Sequence, residues 1–168
     1  LGNDVTTLHH THPTNKGIVT AGNGELGTQI KNIHFSTSGS GVTLTVRMQH
    51  SELENLFFSG QTVLADNAQE GAGYMLHLPA ATLTTCKNLI FADGCSGGVS
   101  IGSEGVSRPT NGVTIYGLSC GTTLLKPAIR VGLHSTGTKL YNPLIEYGGP
   151  TSGFEIVGAY DVDVYGYY

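Results

Sequence analysis

The chain has no tryptophan, little charge and no long apolar run, and these absences limit what it can be. Only 12% of its 168 residues are charged, with eight Lys and Arg against twelve Asp and Glu, which gives a net charge of −4. We therefore expect no nucleic-acid partner, because such proteins carry a basic surface. No apolar run approaches the roughly eighteen residues of a transmembrane helix, so we expect no membrane insertion.

Cysteine is also scarce, and its spacing excludes two common kinds of site. The three cysteines are Cys86, Cys95 and Cys120. An odd number without a Cys-x-x-Cys pair predicts neither a disulfide framework nor a zinc site, so we expect buried free thiols. Three histidines lie close together at His9, His10 and His12, but no carboxylate or Cys follows at a ligand spacing. The sequence therefore predicts no metal and no cofactor.

Glycine and a repeated motif dominate what is present. Twenty-five glycines, many Val, Thr and Ser, and almost no helical periodicity predict an all-β chain with many tight turns. An apolar–charged–Asn–apolar–x–Phe motif also recurs along the chain. It stands at 30–35, 53–58 and 86–91, with weaker copies at 110–115, 140–145 and 159–164. A unit repeated every few tens of residues indicates a solenoid.

A short alternating strand precedes each copy of this motif. These strands start at residues 17, 41, 73, 98, 128 and 153. The longer intervals contain insertions around 61–72 and 117–127, which a solenoid tolerates because each coil contacts only its neighbours. The sequence therefore predicts a parallel β-solenoid of about six coils over 17–168, preceded by a leading and capping segment over 1–16.

The Asn of the repeated motif is expected at a bend in each coil. A short amide side chain tolerates a left-handed backbone and can bond to the equivalent residue one coil away. This alignment assigns to the bend Asn32, Asn55, Asn88, Gly112, Asn142 and Asp161. Beyond it, an interior column is predicted to contain Phe35, Phe58, Phe91, Ile115, Ile145 and Val164, with the three Phe rings in offset stacking.

An outward column beside this interior one is unusually apolar. It is predicted to contain His34, Phe57, Ile90, Thr114, Leu144 and Asp163. Three large apolar side chains in one outward column predict a partner surface, and the alternative is that the loops 61–72 or 117–127 fold over it.

These features resemble the right-handed parallel β-helix of the pectate-lyase-like superfamily, and most closely the bodies of bacteriophage tailspikes. The resemblance covers roughly residues 17–168 and depends on the Gly-x-apolar-x-apolar strands, on Asn32, Asn55 and Asn88, and on the columns after them. The right-handed rule for parallel crossovers agrees with it. The resemblance implies an elongated homotrimer that binds or cleaves bacterial surface polysaccharide. It implies a place on the virion tail, which is extracellular, or otherwise a secreted protein.

Outward positions of the short strands predict a shallow trough for a sugar chain. Small residues in its middle are flanked by polar ones, which suits hydroxyl groups, and an arginine can fork onto a uronate carboxylate. The candidate glycan-binding residues are Arg47, His77, Ser100, Arg130 and His134. An ordinary solvated solenoid exterior is the alternative interpretation of the same side chains.

Catalysis would need a further arrangement of charged groups. Glycoside hydrolysis uses two carboxylates about 5–9.5 Å apart, for which Glu104 and Glu155 are the candidates and Asp161 with Asp163 the weaker pair. A lyase would instead use a base beside a uronate, such as Arg130, His77 or His134.

The sequence thus predicts a tailspike-like or tail-fibre-like receptor-binding protein that engages bacterial surface polysaccharide. Depolymerisation of that polysaccharide is left open. One alternative is a stand-alone polysaccharide lyase or glycoside hydrolase, and another is a non-catalytic structural shaft or adhesin segment. Because the chain starts at Leu1 without Met, we expect a piece of a longer protein or a processed product.

Overall fold

Two stacks of parallel strands make up the protein. The computed structural model describes residues 6–11, 18–20, 27–38, 42–60, 71–103, 109–121, 123, 125–146 and 153–166. The first sheet contains β1 (Thr6–His10), β3 (Gln29–Thr37), β5 (Glu52–Gly60), β7 (Thr85–Phe91), β9 (Thr110–Asn111), β10 (Thr114–Cys120), β12 (Ser135–Tyr141), β13 (Leu144–Ile145) and β15 (Tyr160–Tyr165). The second contains β2 (Ile18–Thr20), β4 (Leu44–Val46), β6 (Leu76–Leu78), β8 (Val99–Ile101), β11 (Ile129–Val131) and β14 (Phe154–Ile156). Within these ranges there is no helix, and so none that could cross a membrane.

The order of strands shows that the chain winds as a coil. The first sheet runs β1-β3-β5-β7-β10-β12-β15 and the second β14-β11-β8-β6-β4-β2, so the chain alternates between them. The second sheet has six rungs, which together span five turns of the coil, and its paired strands are parallel. The predicted parallel β-solenoid is therefore confirmed.

The core is a set of columns, each made of equivalent residues from successive coils. In the first sheet Phe35 stacks on Phe58 at 5.3 Å between ring centroids, and Phe58 on Phe91 at 4.8 Å. The predicted phenylalanine stack is confirmed, and Cys120 and Ile145 continue it. Ile115 and Val164 were wrongly predicted in this column, since Ile115 pairs with Cys86 and Leu140, and Val164 pairs with Leu140. The three cysteines are free and buried, as expected.

Along the first sheet the chain bends twice in each of six coils, at two left-handed residues five positions apart. The first column of bends holds Gly27, His50, Leu83, Gly112, Gly137 and Asp161, with φ between 48° and 77°. The second holds Asn32, Asn55, Asn88, Gly117, Asn142 and Gly166, with φ between 51° and 66°. The prediction that Gly112 and Asp161 share the bend of the asparagines was wrong. Gly and Asp both adopt the left-handed conformation readily, so they can stand at either bend. In those two coils the motif was therefore aligned on the wrong bend.

The asparagines of the second column form the expected ladder. Asn55 donates from Nδ2 to Asn32 Oδ1 at 2.9 Å, and Asn88 donates from Nδ2 to Asn55 Oδ1 at 3.0 Å. These bonds connect three successive coils along the axis. The predicted amide ladder is confirmed for these three residues.

The register of the second sheet differs by two residues from the predicted alignment. Leu44 and Leu76 pair in one row with Val99, so residues 43 and 75, and not 41 and 73, are equivalent to 98. A slip of two keeps every side chain on its face, because side chains alternate with a period of two. The predicted inward-facing residues are therefore correct. The predicted rows, which say which residues are neighbours on adjacent coils, are not.

The outward column of the first sheet was predicted only in part. Strand register gives the row Thr7, His34, Phe57, Ile90, Ser119 and Leu144. Thr114 and Asp163 were wrongly placed in it, because they pair with Lys139 on the segment between the two bends. Phe57, Ile90 and Leu144 are exposed.

Candidate functional site

The corrected register brings four of the predicted site residues into one row of the second sheet. This row, called here the second-sheet row, contains Thr45, His77, Ser100, Arg130 and Glu155 on adjacent rungs. Arg130 Nε lies 3.3 Å from Glu155 Oε2. The row thus places an imidazole, a hydroxyl and an ion pair next to one another along the axis.

The middle of the row is not an open trough. The exposed fraction of His77 is 2% and that of Ser100 is 0%, so neither can meet a ligand without movement of the residues above them. Gly71 lies against His77 so closely that a methyl group on it would collide with the imidazole. Gly71, at the end of the 61–72 insertion, therefore covers the His77 position of the predicted trough.

The other predicted site residues lie outside this row. Arg47 is exposed two residues beyond Thr45, and His134 is exposed at a left-handed turn, with φ 58°, just before β12. Glu104 lies outside the described residues, so its predicted pairing with Glu155 has no described geometry. The structure places Glu155 beside Arg130 instead.

The N-terminal histidines make protein contacts. His9 Nδ1 lies 2.9 Å from Ser36 Oγ, and His10 Nδ1 lies 2.9 Å from Thr37 Oγ1, both across the β1–β3 pair. His12 lies outside the described residues. Among the residues that are described, no three His, Cys, Asp or Glu side chains gather as metal ligands.

A second surface, which the sequence did not single out as a candidate site, lies between the two columns of bends. Only four residues separate the bends in each coil, and two of them point outward. We call these outward side chains the inter-bend facet. They are Gln29, Lys31, Glu52, Glu54, Thr85, Lys87, Thr114, Tyr116, Lys139, Tyr141, Asp163 and Tyr165.

Three tyrosines form an exposed ladder along one half of this facet. Tyr116 and Tyr141 stack with ring centroids 4.8 Å apart, as do Tyr141 and Tyr165, and the ring planes are within 11° of parallel. Tyr116 is 45% exposed and Tyr165 47%. Because neighbouring rings cover each other's faces, solvent meets mainly their edges and hydroxyl groups. The carboxylate of Asp163 raises the pKa of Tyr165 above its ordinary range.

The other half of the facet is a network of charges. Lys31 Nζ lies 2.7 Å from Glu52 Oε2 and 2.9 Å from Glu54 Oε2, and Lys87 Nζ lies 2.7 Å from Glu52 Oε1. Hydrogen bonds from Lys31 and Lys87 hold the pKa of Glu52 down at about 2, from an ordinary value of 4.5. The carboxylate is therefore ionised, and fixed in position, at any physiological pH.

An open recess of about 340 Å³ adjoins this charged half. Its lining is mostly polar, with Leu83 as the one large apolar side chain, and consists of Gly27, Gln29, His50, Ser51, Glu52, Leu83, Thr85 and Lys87. Its volume falls at the lower end of the range of small-molecule sites. It offers amide, hydroxyl, imidazole, carboxylate and ammonium groups to a ligand within two coil-to-coil steps.

A sequence signal for the tyrosine ladder exists. Each of its members immediately precedes a left-handed Gly or Asn, in the pairs Tyr116-Gly117, Tyr141-Asn142 and Tyr165-Gly166. The tyrosines are 25 and 24 residues apart, which matches the length of a short coil. Alignment of the fourth and sixth coils on the other bend concealed this pattern.

Comparison with protein-family models, with curated proteins and with solved structures gives no significant match. The fold class, a parallel β-solenoid, therefore rests on the strand register of this chain alone.

Proposed function

We propose that this protein is a receptor-binding β-solenoid that engages bacterial surface polysaccharide along the inter-bend facet. The observation that carries the proposal is the exposed ladder of Tyr116, Tyr141 and Tyr165 in line with the polar recess. The polysaccharide class is inferred from this facet. The bacterial surface as its source, and a place on a virion tail or in a secreted protein, follow from the resemblance to tailspike bodies.

The facet has the geometry that an extended repeating polymer requires. Its outward positions recur at each of six rungs, so the row of side chains is about 24 Å long at about 4.8 Å per step. A polymer lying along the solenoid axis meets equivalent positions at regular intervals. A globular ligand would use only one or two of them.

The chemistry of the facet also suits sugar hydroxyls. Tyrosine gives a rigid, amphipathic contact at a small entropy cost, and its hydroxyl both donates and accepts. Beside the ladder, Thr114, Lys139 and Asp163 add a hydroxyl, an ammonium and a carboxylate in one row. The whole facet has three lysines, Lys31, Lys87 and Lys139, against three acids, Glu52, Glu54 and Asp163. Because these charges balance, a neutral or mixed-charge glycan fits better than a strongly acidic one.

Binding to a panel of immobilised bacterial surface polysaccharides tests the proposal. We expect one or more to retain the protein, and Tyr141→Ala to weaken retention about tenfold, the equivalent of about 1.4 kcal/mol. Tyr160→Ala is the matched control, because Tyr160 is 74% exposed but lies outside the facet. No retention by any polysaccharide, or equal losses in the two variants, would argue against the facet.

Cleavage of polysaccharide by the second-sheet row is a second candidate function. It is favoured by the Arg130–Glu155 ion pair, which is only partly buried, whereas His77 and Ser100 in the same row are fully covered. The same panel tests it if reducing ends and unsaturated uronates are followed together. Reducing ends alone would indicate a hydrolase and both signals a lyase, and Arg130→Ala should then abolish them. Retention without either signal would leave binding as the function.

A further inference from the structure

The long strands after the asparagine bend carry an apolar surface distinct from the inter-bend facet. Its central row holds Thr7, His34, Phe57, Ile90, Ser119 and Leu144. Phe57 is 36% exposed, Ile90 45% and Leu144 45%, while the ring of His34 packs against Phe57 with centroids 4.7 Å apart. Large exposed apolar side chains in one row mark an interaction surface.

A second row runs beside the first on the same face. Strand register and backbone bonds place in it His9, Ser36, Ser59, Ala92, Gly121 and Glu146. Neither row contains Lys or Arg, in contrast to the charged network of the inter-bend facet. The two rows together are called here the apolar face.

The ends of the apolar face differ in their polar groups. Imidazoles stand at one end, in His9 and His34, and carboxylates lie toward the other, in Glu146 and in Asp93, which lies against Gly121. The large side chains Phe57 and Ile90 occupy the middle, on adjacent rungs. The face is therefore directional along the solenoid axis.

We propose that the apolar face is the contact surface of an antiparallel, two-fold dimer of this chain. With the two-fold axis between the rungs of Phe57 and Ile90, each Phe57 packs on Ile90 of the second copy. The same operation places His9 of one copy opposite Glu146 of the other. Four large apolar side chains then form the centre, and serine, threonine and histidine form the rim, which is the usual anatomy of a protein interface.

Charge separates this arrangement from a parallel one. In a parallel assembly, such as the trimer implied by the tailspike resemblance, equivalent residues meet near a common axis. Glu146 and Asp93 of each copy would then approach the same carboxylates of the next, and like charges in a contact oppose association. The antiparallel dimer separates the carboxylates and gives each end a hydrogen-bonding counterpart.

The size of the face sets the expected strength. The face is about 24 Å long, from five coil-to-coil steps of about 4.8 Å, and about 16 Å wide, from about five residues at about 3.3 Å. Its area is therefore roughly 400 Å² on each copy. The total of about 800 Å² is below the range of standard stable interfaces, so a weak, concentration-dependent dimer is expected.

Sedimentation equilibrium between micromolar and near-millimolar concentrations tests the association. The wild type should pass from monomer to dimer, and Ile90→Glu should remain monomeric at every concentration. Leu125→Glu is the matched control, because Leu125 is 42% exposed but lies outside the two rows. A wild type that is monomeric throughout, or that forms trimers, overturns the proposal, as does dissociation by Leu125→Glu alone.

Disulfide trapping tests the antiparallel register. The variants His9→Cys and Glu146→Cys, mixed and oxidised, should form a cross-linked heterodimer, whereas each variant alone should not cross-link. The native thiols do not interfere, because Cys86, Cys95 and Cys120 are buried and burial raises their pKa to about 12, 11 and 12. Cross-linking within either variant alone would indicate parallel copies and overturn the proposal.

Discussion

The two columns of bends perform the same geometric task with different residues. Asn32, Asn55 and Asn88 turn the chain at one bend and join coils through side-chain amides, with N–O distances of 2.9 and 3.0 Å. At the other bend, His50 and Leu83 take the same left-handed conformation, with φ of 52° and 48°. A left-handed bend is thus required in both places, but only in the asparagine column do the side chains at the bend bond to one another from coil to coil.

The largest expected effect comes from breaking the amide ladder at its middle. Asn55→Ala removes both amide bonds and leaves an alanine at φ 53°, so we expect the free energy of unfolding to fall by about 2 kcal/mol. The matched control, His50→Ala, has a similar φ in the same coil but no ladder to lose, and should cost less than half as much. Urea denaturation measures both, and equal losses would mean that the ladder bonds contribute nothing.

The difference between the columns explains what could be predicted from sequence. A solenoid, its inward faces and the phenylalanine stack followed from the repeated Asn and Phe, because each lies in the same place in successive coils. The bend with His50 and Leu83 has Gly in three coils and His, Leu or Asp in the other three, so no single residue type marks it along the sequence. In the coils where Gly117 and Gly166 replace Asn, the motif was aligned on the bend with His50 and Leu83 instead. The tyrosine ladder was not predicted for this reason.

The candidate site was harder to predict for a physical reason of the same kind. Alternation fixes which face a side chain is on, but not which row, because a slip of two residues leaves the face unchanged. His77 and Ser100 were therefore correctly assigned to an outward face but in different rows. His77 is covered by Gly71, at the end of an insertion that has no repeat and hence no predicted position.

Extending the ladder should give the next largest effect. Gly117 interrupts it between Asn88 and Asn142, at φ 66°, which an asparagine tolerates. A Cβ there would lie 3.2 Å from Asn88 Oδ1, a close contact that a small rotation of the amide relieves. We expect Gly117→Asn to stabilise the fold by about 1 kcal/mol, through new amide bonds and a stiffer unfolded chain.

The matched control for this extension is Gly117→Ala, which adds the Cβ without an amide. It should destabilise by about 1 kcal/mol, because alanine is strained in the left-handed region. Opposite signs in thermal or urea unfolding would show that the amide matters. Destabilisation by both substitutions would show that the column has no room for a fourth member.

A smaller gain is expected where the other column is least suited to its conformation. Leu83 has φ 48° and is 53% exposed, so removal of its side chain costs little packing energy. Leu83→Gly relieves the left-handed strain but makes the unfolded chain more flexible, for a net gain of about 0.5 kcal/mol. Asn88→Gly, at φ 51°, is the corresponding change in the ladder, and the loss of its amide bond should make it destabilising. If the two substitutions changed stability in the same direction, the columns would not differ as proposed.

The smallest effect is expected from a residue that belongs to neither column. Glu52 lies between His50 and Asn55, and its bonds to Lys31 and Lys87 hold its pKa at about 2. A lowered pKa means that the unfolded state binds the proton more readily. The stabilisation is therefore complete above the ordinary pKa of about 4.5 and is lost as the pH falls through about 2.

Glu52→Gln removes this contribution and tests its size. The stability difference between wild type and variant should be constant from pH 7 to about pH 5 and should shrink toward pH 2. It should also be small, and smaller still at high salt, because the ion pairs lie at the surface and are screened. A difference that persists unchanged down to pH 2 would show that packing or hydrogen bonding of the neutral side chain, and not its charge, supports the segment between the bends.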